Sequence, residues 1–386
     1  MNRRLRIFLI RLGVPFILIG IPAWMVYQDG RQEQTNADLI AAIKRKKTVM
    51  VRALLNRGAD PNTTIKVVVV RSPWQRLLAL VERMRGRHKA TKSATSALML
   101  AVSEDATDIA LLLLARGAKN VDASIDVTAG NENYGTGQTV QRPLLLVAAS
   151  RGNVALVRGL LDRGAHINLH DAQDMTALLL TASDLPEWYL DDPAKKADRK
   201  RAVSKHMAVC RLLLERGARP SLEDQGGATV VAAAAENDLP DMVELLLAHG
   251  AAPNIQDDST WSALTWAGYF GELGMATALV KHGANVRHGE ATGDPEVVLA
   301  AGQPGILRLL LDRGARINAR DNKGQTAMHY AVKNNNVQMA RLLLKRGATL
   351  NARDKSGKTP LDYAMPITDE ENDGMLEMLQ TVGGRR

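Results

Sequence analysis

One short string recurs along the chain: LLNRGAD (54–60), LLARGAK (113–119), LLDRGAH (160–166), LLERGAR (213–219), LLAHGAA (246–252), LVKHGAN (279–285), LLDRGAR (310–316) and LLKRGAT (343–349). Its glycines, Gly58, Gly117, Gly164, Gly217, Gly250, Gly283, Gly314 and Gly347, are 59, 47, 53, 33, 33, 31 and 33 residues apart, so the base period is 33. An apolar stretch at helical spacing that runs into a glycine is a helix stop, because glycine takes the left-handed conformation at the C′ position without steric cost. Helix starts stand about 21 residues before most of these glycines: SALMLA (96–101), TALLLT (176–181), SALTWA (262–267), TAMHYA (326–331) and TPLDYA (359–364). Ser and Thr are preferred N-caps, and Pro360 suits the first helical position. The segments between stop and start, such as NARDNKGQ (318–325) and NARDKSGK (351–358), are rich in turn formers. Each unit therefore reads as turn, helix, helix, and repeats of this kind bury their apolar faces only by stacking.

A 33-residue period with these residues resembles the ankyrin repeat, whose T-P-L-H-x-A signature is best matched at 326–331, with His329 in the His position, and at 359–364, where Asp362 replaces it. The resemblance spans residues 37 to about 382 and implies an all-α solenoid of about nine helix-turn-helix units with hairpin-like loops; one N-terminal transmembrane helix, read from the apolar run at 7–27, is expected to precede it. The domains expected are 1–34, tail and anchor, and 35–386, the array. Repeat one, ADLIAAIKRKKTVMVRALLNRGADPN, lacks the Thr-Pro start, as an N-terminal cap can. The ninth stop, MLEMLQTVGG (375–384), is degraded, as in a C-terminal cap. Repeats three (RPLLLVAA) and five (ATVVAAAA) are loose. Repeat seven starts at DPEVVLAAG without Thr and with Pro304 near its helix junction, which puts its packing in doubt.

Insertions fall at 63–94, 119–141 and 184–204. The first two lie on the side of the projecting hairpins, and the third between the two helices of repeat four. The first contains IKVVVV, a strand candidate, followed at 74–87 by a basic amphipathic helix with Trp74, Leu77, Leu78, Val81 and Met84 at helical spacing. That helix either packs on repeats one and two or lies on anionic lipid. The third, with both charge signs and two prolines, reads as a mobile loop, in which Trp188 and Tyr189 offer a binding role.

The segment 7–27 is apolar apart from Arg11, and about 20 apolar residues span a bilayer. Leu12, Phe16, Ile17, Leu18, Ile19, Ile21, Trp24 and Tyr27 are its anchor residues, with Trp24 and Tyr27 at the interface. The competing expectation is a cleaved signal peptide, although no A-x-A pattern follows the run. Arg3, Arg4 and Arg6 favour a cytoplasmic tail; Lys44, Arg45, Lys46 and Lys47 argue the other way. The expected location is a bacterial inner membrane, single-pass, with the array in the periplasm. A soluble periplasmic form after cleavage and a cytoplasmic array are the alternatives. Of the formal net charge of +9, residues 1–92 carry 19 basic and 5 acidic side chains. The remaining 31 basic and 36 acidic residues leave 93–386 at −5, so no nucleic-acid surface running along the chain is expected.

No catalytic, cofactor or metal site is expected. The single cysteine, Cys210, excludes an intramolecular disulfide or a Cys-based zinc site, and G-x-S-x-G, H-E-x-x-H, P-loop and strand-linked G-x-G-x-x-G patterns do not occur. His166, His170, Asp171 and Asp174 lie in a turn at spacings that fit no closed metal site. His249 and His282 stand where other repeats have Arg.

The resemblance also implies that the residue after the signature His points to a concave groove, as do those three and four positions on. Carried over, this gives Leu100, Leu180, Trp266, Tyr330 and Tyr363, then Tyr269, Phe270, Lys333 and Asn334. With Trp261 in the adjacent turn, repeat six holds four of the chain's 14 aromatics. These rings either face the groove or pack on neighbouring helices. The partner-binding set is thus Trp261, Trp266, Tyr269, Phe270, Tyr330, Lys333, Asn334 and Tyr363. Hairpin-tip charges, including Asp257, Asp258, Arg320, Lys323, Arg353 and Lys355, would tune association. The expected function is a non-enzymatic, monomeric scaffold, tethered to the inner membrane, that binds a protein partner through its concave groove and hairpin tips. The alternative is an immunity or inhibitor protein neutralising a toxin or envelope enzyme.

Overall fold

Every glycine of the recurring string ends a helix in the left-handed region, with φ between 84° and 92° from Gly58 to Gly347. The computed structural model describes residues 21–65, 95–128, 139–185, 193–225, 227, 229–254, 261–287, 289, 295–364, 373–381 and 383. They fall into two compact units, 1–148 with 155–166, and 149–154 with 167–386.

In the first unit, α1 (Ile21–Lys44) and α2 (Thr48–Asn56) form repeat one, and α3 (Ala97–Ser103) and α4 (Thr107–Ala115) repeat two. The inner helices α1 and α3 pack on each other, as do the outer helices α2 and α4. Ser96 caps α3 by accepting from Met99 N at 3.1 Å. The insertion 119–141 contributes to an antiparallel hairpin, β1 (Ser124–Thr128) with β2 (Thr139–Pro143), registered from Ser124↔Pro143 to Thr128↔Thr139. Helices α5 (Leu144–Ser150) and α6 (Val154–Leu161) follow, the turn between them belonging to the second unit.

The second unit stacks α7 (Ala177–Ser183), α8 (Pro193–Glu215), α9 (Val230–Glu236), α10 (Pro240–Ala248), α11 (Ala263–Phe270), α12 (Leu273–Lys281), α13 (Glu296–Leu299) with a 3₁₀ turn (Ala300–Gly302), α14 (Pro304–Asp312), α15 (Ala327–Lys333), α16 (Val337–Lys345), α17 (Pro360–Ala364) and α18 (Asp373–Thr381). Odd-numbered helices from α7 to α17 form the inner layer, while α8, α10, α12 and α14 pack in sequence outside them. Inner helices are rich in alanine and buried almost throughout, as in Val230 to Ala235 of α9, which permits close stacking. Outer helices bury one face, for example Met339, Ala340 and Leu343 of α16.

Two polar devices repeat. The fourth residue after a stop glycine clamps the next unit: Asn168 Oδ1 accepts from Arg219 N (3.0 Å), Asn254 Oδ1 from Asn285 N (2.7 Å) and Asn318 Oδ1 from Thr349 N (2.7 Å). Each such bond contributes about 1 kcal/mol. Arg287 holds this place after repeat six and reaches Gly314 O through Nε at 2.7 Å. The second device is an aspartate that closes the turn before an inner helix. Asp171, Asp321 and Asp354 each accept, through Oδ1, from the backbone N–H groups two and four residues on, at 2.7–3.1 Å.

Two expectations are corrected. Residues 193–204 are not a mobile loop but the first half of α8, where Ala, Lys and Arg give high helix propensity and Pro193 sits at the start. Repeat seven packs by shortening its inner helix to one α turn and a 3₁₀ turn, with Val297, Val298, Ala300 and Ala301 buried, and Pro304 enters the first turn of α14, where no N–H is needed. Among the described residues no helix is long and apolar enough to cross a membrane. From Asp29 onward helix α1 carries Arg31, Glu33 and Asp38 as well, charges that keep this part of it out of a bilayer core. Leu12, Phe16, Ile17, Leu18 and Ile19 of the expected anchor lie outside the described residues, as do the basic helix 74–87, Trp188 and Tyr189. Ile21, Trp24 and Tyr27 stand in the first two turns of α1, Tyr27 exposed.

Candidate functional site

Helical spacing places Trp266, Tyr269 and Phe270 of α11 on adjoining positions i, i+3 and i+4, and the N-cap Ser262 turns the chain so that Trp261 joins them. The cap is reciprocal: Ser262 Oγ accepts from Thr265 N (3.1 Å) and Thr265 Oγ1 from Ser262 N (3.2 Å). The four rings form one cluster. Trp261 and Trp266 have centroids 4.5 Å apart, Trp266 stacks on Phe270 at 5.7 Å and 17°, and Tyr269 meets Trp261, Trp266 and Phe270 edge-on at 5.6, 6.0 and 5.3 Å. Trp261, Trp266 and Phe270 are half-buried; Tyr269 is 55% exposed and Leu273, at the start of α12, 46%. The neighbouring inner helices carry Ala233 and Leu299 where α11 carries Trp266, so the rings of repeat six are flanked by smaller side chains. A self-packed aromatic cluster with one edge in water is a preformed contact surface: the rings are held by one another and lose little rotamer freedom on binding.

The other predicted contact residues stand differently. Tyr330 donates its hydroxyl to Asp321 Oδ2 (2.7 Å) and Tyr363 to Asp354 Oδ2 (2.6 Å), so each ring is tied to the turn nine residues before it. Gln325 Nε2 also donates to Asp354 Oδ2 (3.3 Å) and to Tyr363 Oη (2.8 Å). Burial alone would raise the Asp354 pKa, but the bonds from Tyr363, Gln325, Lys358 and Ser356 outweigh it and hold the carboxyl at about 2. The same bond to Asp354, with burial, raises the Tyr363 pKa. Lys333 and Asn334 are exposed at the end of α15, with Lys333 Nζ 6.0 Å from the Tyr330 ring centre.

The histidines have structural partners. Thr326 N donates to His329 Nδ1 (3.1 Å), which puts the imidazole proton on Nε2, 3.3 Å from Lys358 O of the next repeat; burial lowers its pKa. Asp362 does the same capping work in repeat nine, accepting from Thr359 N (2.7 Å) and Thr359 Oγ1 (2.9 Å). His206, buried on α8, lies 3.2 Å from Thr181 O, and burial lowers its pKa too. Burial pushes the neighbouring Cys210 thiol up to about 12, so it is no nucleophile near neutrality. His166 pairs with Asp122 (2.5 Å) and His170 with Asp174 (3.0 Å), two separate contacts; among the described residues no group of three or more His, Cys, Asp or Glu is placed to hold a metal ion.

Sequence reasoning missed Leu273, which extends the exposed aromatic edge, and the contact of α8 with repeat five. There Arg199 donates to Asn237 O (2.5 Å) beside Asp238, whose pKa burial raises and Arg199 opposes. The legible signal for Leu273 was its place three residues after Phe270, in a unit already rich in apolar side chains.

The family model described as ankyrin repeats (3 copies) matches residues 200–289, and that described as ankyrin repeats (many copies) matches 310–364. Over those two stretches the chain is similar to ankyrin repeats. Among curated proteins, the human SH3 and multiple ankyrin repeat domains protein 2 is 25% identical over 231 residues, 59% of this chain and 11% of that one. An ankyrin repeat-containing protein of Treponema pallidum (strain Nichols) is 30% identical over 126 residues, 32% of this chain and 42% of that one. The chain thus spans less than half the length of these relatives. The crystal structure of the human ASB11 ankyrin repeat domain superposes with a TM-score of 0.47 at 23% identity, covering 63% of this chain and 98% of that one. The ankyrin-repeat fold is generally a protein–protein interaction scaffold and typically non-enzymatic.

Proposed function

We propose that this chain is a non-enzymatic scaffold that captures a protein partner on the aromatic surface of repeat six and the adjoining inner helices. The observation that carries the reading is the four-ring cluster of Trp261, Trp266, Tyr269 and Phe270, preformed, flanked by Ala233 and Leu299, and edged by exposed Tyr269 and Leu273. Aromatics in such a setting are the residues most enriched among binding hot spots, each contributing about 2 kcal/mol or more, which is roughly 30-fold in affinity. The scaffold is tethered to a bacterial inner membrane through residues 7–27 with the array in the periplasm, a reading that rests on the apolar run and its Arg-rich flank.

The test is capture from native membranes with a C-terminally tagged chain, comparing wild type with Trp266→Ala/Tyr269→Ala and with Tyr330→Phe. A protein retained by the wild type and lost by the double variant is the expected result, and a toxin or envelope enzyme among the retained proteins would select an inhibitory role. Equal retention by wild type and double variant sinks the aromatic assignment. Flotation of the full chain with liposomes, against a chain lacking residues 1–27, tests the tether; unchanged flotation rejects it.

A further inference from the structure

The loops that follow α12, α14 and α16 bring basic side chains together on the second unit. Arg287, Arg316 and Arg320 line one cavity of about 670 Å³ with the backbone of 314–319 between them. All three are exposed, as are Lys323, Arg353 and Lys355 in the adjoining turns. The segments 315–325 and 349–358 hold six basic residues against two acidic ones, Asp321 and Asp354, and both of those carboxylates are bonded within the turns they close. The successive turns are joined: Lys355 N donates to Lys323 O (2.9 Å), and Arg320 Nη1 to Arg353 O (2.6 Å). The turns that carry these positive charges are therefore in direct contact, and fields of exposed charges reach roughly 8–10 Å at moderate salt.

Two of the arginines are held by backbone carbonyls. Arg287 uses Nε on Gly314 O (2.7 Å), and Arg320 uses Nη1 on the carbonyls of Arg353 and, at 3.4 Å, Gly324. Each guanidinium is thereby fixed in orientation while other N–H groups of its planar fork suit a carboxylate. We propose that this cavity and its basic margin dock an acidic, extended segment of the protein partner, its Glu or Asp carboxylates paired by Arg287, Arg316 and Arg320. The inference rests on the protein-binding reading above and names the chemistry of the partner. A peptide fits better than a nucleic acid because the basic surface is short, and residues 93–386 together carry −5, which repels a long polyanion.

The experiment uses the full chain and four fluorescent probes: a twelve-residue Glu-rich peptide, its Lys-rich counterpart, a twenty-nucleotide single strand, and vesicles containing phosphatidylglycerol. Each is titrated against wild type, Arg287→Gln/Arg316→Gln/Arg320→Gln, and Lys323→Glu/Lys355→Glu. The second variant changes only exposed side chains, since the bonds that Lys323 and Lys355 make between the turns run through their backbone. The expected result is binding of the Glu-rich peptide alone among the peptides, weakened by added salt and at least tenfold by either variant. Equal affinity for the two peptides, or unchanged affinity in both variants, overturns the proposal. So does a larger loss for the oligonucleotide or the vesicles than for the peptide, which would assign the site to phosphate. Failure here with capture still lost in Trp266→Ala/Tyr269→Ala removes only the acidic-segment inference; peptide binding with capture unaffected by that variant removes only the aromatic reading.

Discussion

Substituting Asp354 tests how far stability in this chain is carried by the turns rather than by the helices. Its carboxylate accepts four bonds: from Ser356 N (2.8 Å) and Lys358 N (3.0 Å) at Oδ1, and from Tyr363 Oη (2.6 Å) and Gln325 Nε2 (3.3 Å) at Oδ2. A bond to a charged acceptor contributes about 1.5–3 kcal/mol, and bonds sharing one acceptor do not add. In Asp354→Ala the two backbone donors lie in an exposed turn and regain water, and Gln325 and Tyr363 keep their mutual bond at 2.8 Å. The expected cost is therefore about 2–4 kcal/mol rather than the full sum. Asp354→Asn keeps the Oδ1 bonds but sets an amide N–H₂ against the Gln325 donor, for about 1–2 kcal/mol. In a stacked array the loss falls on the unit and its neighbour. Hydrogen exchange read by mass spectrometry is expected to show peptides of α17 and α18 exchanging about 30-fold faster in Asp354→Ala, with α9 and α10 unchanged. A change below threefold in α17, or an equal rise from α9 to α16, refutes the reasoning. The carboxyl is held at about 2, below its unfolded value near 3.9, so its contribution is present above pH ~4 and is lost as pH falls toward 2. Asp354→Asn is expected to lack that part of the acid dependence.

Burial lowers the pKa of both His206 and His329, so the unfolded chain binds more protons; thermal stability is expected to fall as pH drops below about 6.5, and less steeply in His206→Gln or His329→Gln. Identical pH slopes in wild type and both variants would exclude these imidazoles as the cause. Gly347→Ala meets no atom within 4 Å and costs only its left-handed backbone, φ +86, about 1–2 kcal/mol, whereas at Gly324, φ +76, a Cβ would lie 2.9 Å from Lys355 N, so Gly324→Ala is expected to cost more in urea titrations. Arg199→Met removes the bond to Asn237 O while keeping much of the apolar stem; a loss of about 1–2 kcal/mol with faster exchange at the start of α8 is expected, and unchanged exchange there would deny Arg199 its anchoring role.

What was legible in the sequence was what a local rule decides. Gly58, Gly347 and their counterparts announce left-handed helix stops, Ser96, Thr176 and Ser262 announce caps, and both appear in the structure because each depends on a few neighbouring residues. The third insertion was misread because charge and proline were weighed above propensity: PAKKADRKR is built of strong helix formers, and Pro193 is tolerated where α8 begins. The turn aspartates were visible only as turn formers. That Asp321 and Asp354 also hold Tyr330 and Tyr363 follows from a nine-residue separation which no single element's period contains.

The aromatic surface shows why a site is harder to read than a fold. Spacing alone places Trp266, Tyr269 and Phe270 on one side of α11, yet a ring on an inner helix is covered or exposed according to what stands at the same position one unit away. For Trp266 those positions are Ala233 and Leu299, and for Tyr269 they are Glu236 and Gly302. Neither Glu236 nor Gly302 offers an apolar side chain to cover Tyr269, which stays 55% exposed while the four rings pack among themselves. Enlarging Ala233 to Leu would accordingly test the cluster from the side, covering area of Trp266 without substituting a ring, and should reduce partner capture while leaving α11 folded.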